Sequence, residues 1–91
     1  MSLGGNIGSC PTYLQDAIDH AVRNRGVFVA AAAGNSGDAS VSYPAGCANV
    51  VSVGATDNLD AIADFSQHSP GAADGVDLVA PGVSIASTCA T

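Results

Sequence analysis

Seven consecutive residues, Val27 to Ala33, carry no polar side chain and then break off at Gly34-Asn35-Ser36-Gly37. An unbroken apolar run of this length reads as a strand covered on both faces, the kind that parallel sheets contain. The preceding segment supports that reading. Leu14, Ala17, Ile18, Ala21 and Val22 recur at helical spacing, which predicts a helix over about 11–25 with one buried stripe. Pro11 suits the first turn, where its missing N–H costs nothing. Asp16 and Asp19 lie toward the N-terminal half and Arg23 and Arg25 in the last turn, so the charges complement the helix dipole. Gly26 is a stop signal. Met1-Ser2-Leu3 reads as the end of a strand running into Gly4-Gly5. Strand, helix and strand together predict a right-handed βαβ crossover in a parallel sheet, hence the α/β class.

Further strands are expected at Val50–Ala55 and Val76–Ala80, with a last short one at Val83–Thr88 and irregular chain from Thr56 to Gly75. Leu14, Ile18, Val22, Val27, Val29, Val51 and Val53 are the expected core. A chain of 91 residues is one domain or part of one. Met1 already stands inside a strand and Thr91 follows one directly, so residues 1–91 are expected to form a single partial domain, truncated at both ends.

Charge narrows the partners. The net charge is −6, with eight Asp, no Glu, no Lys and only Arg23 and Arg25 as cations. Such a surface repels phosphate, which argues against nucleic acid. It also lacks the basic patch of a membrane-surface protein, and no apolar run reaches membrane-spanning length. Cys10, Cys47 and Cys89 come without CxxC or His-x-His spacing, so no zinc site is expected. One pair plus one remaining thiol fits an oxidising compartment. Asp57, Asp60 and Asp64 do not form an EF-hand loop and are expected to be solvated. His20 and His68 read as surface histidines. In parallel sheets the chemistry sits at the carboxyl ends of strands, which draws attention to Leu3-Gly4-Gly5 and Gly34-Asn35-Ser36.

These segments belong to a longer pattern. Met1-Ser2-Leu3-Gly4-Gly5, a helix, and Ala31-Ala32-Ala33-Gly34-Asn35-Ser36-Gly37 are followed by Tyr43-Pro44-Ala45 and by Asn49 through Asp57. Phe65-Ser66 and Val79-Ala80-Pro81-Gly82-Val83-Ser84-Ile85 come next. In this order the set resembles the subtilisin-like serine proteases (subtilases, peptidase S8) over nearly the whole chain. The resemblance implies part of a three-layer fold around a parallel sheet, and a secreted endopeptidase that cleaves peptide bonds through an acyl-enzyme. The family's nucleophile segment, Gly-Thr-Ser-Met-Ala, and the segments carrying its base and orienting acid do not occur in residues 1–91. The chain alone is therefore expected to be inactive, with the remainder of the protease domain and a peptide or protein substrate as its partners.

The resemblance assigns Asn35 as the side-chain donor of the oxyanion hole. Ser2, Leu3 and Gly4 become the strand that pairs with an extended substrate. Gly5 and Ala32, Ala33 and Gly34 become walls of the primary specificity pocket, and Ser42 its floor. A small neutral floor implies large apolar or aromatic substrate side chains rather than basic ones. The resemblance also suggests a Cys10–Cys47 disulfide, with Cys89 free or paired elsewhere. It implies no required cofactor. A weak structural calcium or sodium ion near Ala45–Val50 belongs to the family pattern, but Cys47 and the altered local sequence speak against it. Two other readings stand beside this one. One is a non-catalytic binding module of the same fold. The other is a dinucleotide-binding βαβ unit, whose GxGxxG fingerprint Gly4-Gly5-Asn6-Ile7-Gly8 matches only loosely.

Overall fold

The computed structural model describes residues 1–68 and 75–89. Pro11, extended at φ −62° and ψ 145°, caps helix α1, which spans Thr12–Asp19. The Pro11 carbonyl accepts from the N–H groups of Leu14 and Gln15, at 3.1 and 3.0 Å. The helical path continues through a wider π-helical turn, His20–Asn24. Gly26 then adopts φ 65°, the left-handed conformation open to glycine at a helix end. The N–H of Val27 turns back onto the carbonyl of Ala21 at 3.0 Å.

Three strands follow: β1 (Ala30–Ala32), β2 (Val51–Thr56) and β3 (Leu78–Pro81). They form one parallel sheet in the order β1-β2-β3. Ala31 stands beside Ser52, and Gly54 beside Val79. The α/β class with a parallel sheet is thus present. The segment from β1 to β2 contains no helix.

β1 and β3 are shorter than the segments that announce them, and β2 is shifted by one residue. Pairing begins at Val29, whose carbonyl accepts from Val51 N–H at 2.9 Å. Val27 and Phe28 stay outside the sheet, 47% and 76% exposed, because they only bridge the helix end to β1. Val27 is therefore not a core residue. Met1–Leu3 is not a strand of the sheet: Met1 bonds through its carbonyl to Ala32 N–H and through its amino group to Ala30 O, too few bonds to extend a ladder. Val83–Thr88 likewise forms no strand. At the end of β3, Pro81 has no N–H to give, and Gly82 donates to Thr56 O instead, at 3.0 Å.

The core lies on one sheet face. Ile18, Ala31, Ala45, Cys47 and Val50 are buried together, with Leu14, Val22, Val29, Val41 and Tyr43 packed around them. Along β2, Ser52, Gly54 and Thr56 are buried while Val51, Val53 and Ala55 are half-buried, which reverses the expected parity. The reason is coverage: Ser52 shares the Ala31 face under α1, and Ser66 packs against Gly54 on the same side. Ala17, assigned to the helix stripe, is exposed.

The loop that leads from β1 toward β2 is tied to α1 and the residues just before it at three points. Cys10 and Cys47 are joined by a disulfide, with Sγ–Sγ 2.03 Å and Cα–Cα 5.3 Å. Gln15 accepts from Ala48 N–H at 2.9 Å and donates to Ala48 O at 3.0 Å. The Asp19 carboxylate accepts from the amides of Asn49 and Gln15, which hold its pKa below the usual carboxylate value.

Two outcomes follow. Replacing Cys10 and Cys47 by Ser opens a cross-link between residues 37 apart. It should lower the unfolding free energy of the complete domain by roughly 3–4 kcal/mol, measured by denaturant titration. Residues 1–91 produced alone should associate or melt without cooperativity, because Leu3, Ile7, Phe28, Leu59, Leu78 and Val79 are each about half exposed or more. A sharp melt of a monomer in calorimetry and sedimentation would contradict this.

Candidate active site at the carboxyl end of the first strand

Three segments converge where β1 ends. Ala33 extends the pairing with β2, its N–H bonded to Val53 O at 2.9 Å, and its carbonyl accepts from Ser42 N–H at 2.8 Å. Ser42 leads into Tyr43, which exchanges two backbone bonds of 3.0 Å with Gly5 in an antiparallel bridge. The Gly4-Gly5 turn is thereby held beside the end of β1. Glycine at position 4 is a matter of space: a Cβ there would lie 3.0 Å from Ser42 Cβ. Gly34 is constrained twice over, by φ 127° and by a hypothetical Cβ 2.4 Å from Ser42 Oγ.

These segments enclose an open cavity of about 380 Å³. Ser2, Leu3, Gly4, Gly5, Ala32, Gly34, Asn35 and Ser42 all line it, so the structure brings together nearly every residue singled out in the sequence. Ala33 is the exception. It is 1% exposed and faces a neighbouring cavity of about 450 Å³, bordered by Val53, Phe65 and Ala80. Ser42 is buried, and its hydroxyl donates to Asn6 Oδ1 over 3.4 Å. Asn35 is exposed at the cavity. Its side-chain amide enters no hydrogen bond among the described residues, so it is free to meet a ligand. The backbone groups of Ser2, Leu3 and Gly4 are likewise unpaired among the described residues.

The loop beyond Gly34 lies on the segment 65–68. Gly37 N–H donates to Phe65 O at 3.0 Å, and His68 N–H to Asp38 O at 2.9 Å. Gln67 is 1% exposed, and its side-chain carbonyl accepts from the N–H of Ser36 at 2.8 Å and of Asp38 at 3.3 Å. Its amide nitrogen donates to Asp38 Oδ1 at 2.8 Å and Ser40 Oγ at 3.1 Å. Hydrogen bonds from the Ser40 hydroxyl and then its N–H hold the Asp38 carboxyl below the usual range. Gln67 and Asn6 were not singled out in the sequence, and Ser36 only as part of the Gly34-Asn35-Ser36 loop. Gln67 directly follows Phe65-Ser66, and only that adjacency hinted at it.

The other candidates stand apart. His20 pairs with the Asn24 amide and His68 with the Ser66 carbonyl; neither lines the cavity. Asp57 caps its own turn by accepting from Leu59 and Ala61 N–H. Cys89 is an exposed free thiol.

Comparison with known proteins agrees with this geometry. The model of the subtilase family (peptidase S8) matches residues 1–91. Subtilisin BL and subtilisin Savinase of Lederbergia lenta are 51% identical over 75 residues, covering 82% of this chain and 26% of each relative. An extracellular protease of Xanthomonas campestris pv. campestris is 49% identical over 89 residues, 97% of this chain and 14% of that protein. The crystal structure of a psychrophilic subtilisin-like protease from the Antarctic psychrotroph Pseudoalteromonas sp. AS-11 superposes with a TM-score of 0.75 at 41% identity. It covers 90% of this chain and 17% of that one. The chain thus spans about a quarter or less of the length of these relatives. With motifs, sheet and cavity in agreement, the chain belongs to the subtilase family.

Proposed function

We propose that residues 1–91 are the substrate-binding and oxyanion-stabilising portion of a secreted subtilisin-type serine endopeptidase. The nucleophile, base and acid come from outside this segment. The observation that carries the reading is the Asn35 amide, unpartnered among the described residues, set beside a cavity whose other rim is the backbone of Ser2–Gly4, unpaired among the same residues. An extended peptide adds to that rim by main-chain hydrogen bonds. Its side chain enters between Gly4-Gly5 and Ala32–Gly34, toward Ser42. Attack of a serine hydroxyl on the scissile carbonyl builds negative charge on its oxygen. A donor already aimed at that oxygen lowers the barrier without reorganising. The amine leaves, and water then releases the acyl group from serine.

This chemistry calls for no cofactor. Among the described residues no group of three or more His, Cys, Asp or Glu is placed to hold an ion. A weak calcium or sodium ion near Ala45–Val50 is not required by this reading; in that loop the Ala48 carbonyl accepts from the Gln15 amide at 3.0 Å, and the Asn49 amide nitrogen donates to Asp19 at 2.9 Å. Secretion accords with the Cys10–Cys47 disulfide, since such bonds persist in oxidising compartments. The acidic surface is consistent with a peptide or protein substrate rather than nucleic acid.

In the complete enzyme, Asn35→Ala should lower kcat about 10²–10³-fold with KM nearly unchanged, a magnitude carried over from subtilisin itself. An unaltered kcat in a folded variant would remove the oxyanion role. The uncharged Ser42 floor should favour Phe or Tyr over Lys at the cleavage site. Ser42→Asp should raise kcat/KM for Lys relative to Phe by about tenfold or more, the worth of one charge-assisted contact. Kinetics on paired anilide substrates measures both.

A further inference from the structure

We propose that Gln67 is the residue that positions Asn35, an inference that rests on the oxyanion reading given above. Gln67 grips both immediate neighbours of Asn35. Its backbone N–H donates to the Gly34 carbonyl at 3.4 Å, and its side-chain carbonyl accepts from Ser36 N–H at 2.8 Å. The same oxygen reaches Asp38 N–H at 3.3 Å. From the other side, a Cβ at Gly34 would lie only 2.8 Å from Gln67 Cγ, so the peptide before Asn35 rests directly on this side chain.

The orientation of the Gln67 amide is itself determined. Its nitrogen faces two acceptors, Asp38 Oδ1 at 2.8 Å and Ser40 Oγ at 3.1 Å, and its oxygen faces two backbone donors. Turning the amide over would set oxygen against carboxylate and nitrogen against N–H. At 1% exposure no water competes for these bonds. Asn35 projects from the only residue between the two gripped peptides, and its own amide has no anchor among the described residues. A donor aimed at a developing charge loses much of its effect when displaced by about an ångström. Gln67 therefore acts through Asn35 and touches no substrate.

The test uses the complete protease that carries this segment, with kcat expressed per active site titrated by an irreversible serine-directed inhibitor. Gln67→Met keeps the length and removes every polar contact. It should lower kcat about 10–100-fold with KM within about twofold. In an Asn35→Ala background the same change should cost less than about threefold, because the group it positions is gone. A purely structural role predicts a lower Tm with kcat per titrated site unchanged, or a full multiplicative loss in the Asn35→Ala background; either result overturns the proposal. If Asn35→Ala leaves kcat intact, the oxyanion reading falls and this inference with it. A loss at Asn35→Ala with none at Gln67→Met overturns the role of Gln67 alone. Should Gln67→Met yield no titratable enzyme, Gln67→Asn, which withdraws the amide by one methylene, replaces it with the same expected and overturning results.

Discussion

At Gly34 a methyl group would sit 2.4 Å from Ser42 Oγ and 2.8 Å from Gln67 Cγ, so three separate segments meet there with no space for a side chain. The exclusion works together with φ 127°, which only glycine adopts without strain. Because the contact is so close, Ser42 can bond to the end of β1 while Gln67 bonds to the loop beyond it. The cavity between Gly4-Gly5 and Gly34 is the gap left by this packing. A larger residue would force Ser42 or Gln67 aside and disturb cavity and loop together.

The interior around this junction is unusually polar for so small a core. Ser42, Ser52, Thr56, Ser66 and Gln67 are all buried. Most have partners: the Ser66 hydroxyl accepts from Ala55 N–H at 2.8 Å, and Gln67 uses both ends of its amide. Satisfied groups of this kind specify geometry more sharply than apolar packing, since each bond has a direction as well as a distance. Ser52 Oγ is fully buried without a partner among the described residues, although its N–H donates to the Asp77 carboxylate at 2.7 Å. The apolar cluster joins Leu14 and Ile18 of α1 to Val41, Tyr43, Ala45, Cys47 and Val50, and it covers the Ala31 face of the sheet. Site precision in this segment of a subtilase therefore rests on hydrogen-bonded loops more than on a large hydrophobic core.

The disulfide at Cys10, just before α1, and the Gln15 bonds within it tie the helix to the 43–48 loop and connect that thin core to the site. Cys47 is bonded to Cys10, Gln15 to Ala48, and Tyr43 to Gly5. A helix packed under β1 is thus linked covalently to the segment that supports the cavity's glycine rim. The cross-link restricts mostly the unfolded chain, whereas the hydrogen bonds set the folded geometry.

Much of this was legible in the order of residues. Helical spacing in Leu14, Ile18 and Val22, Gly26 as a stop, and apolar runs breaking at glycine announced a helix and parallel strands, because these signals act over a few residues of chain. The motifs around Gly4-Gly5 and Gly34-Asn35 pointed to one site for the same local reason. What depended on distant partners was not legible. Val27 and Phe28 share the composition of a buried strand but have no neighbour to cover them. Val51 and Val53 look like core, yet α1 and Ser66 lie across the other face, so Ser52 and Thr56 are buried instead. Gln67 carries no periodic or compositional signal. Its importance arises only when the chain brings residue 67 against the peptides on either side of Asn35, a contact between segments some thirty residues apart.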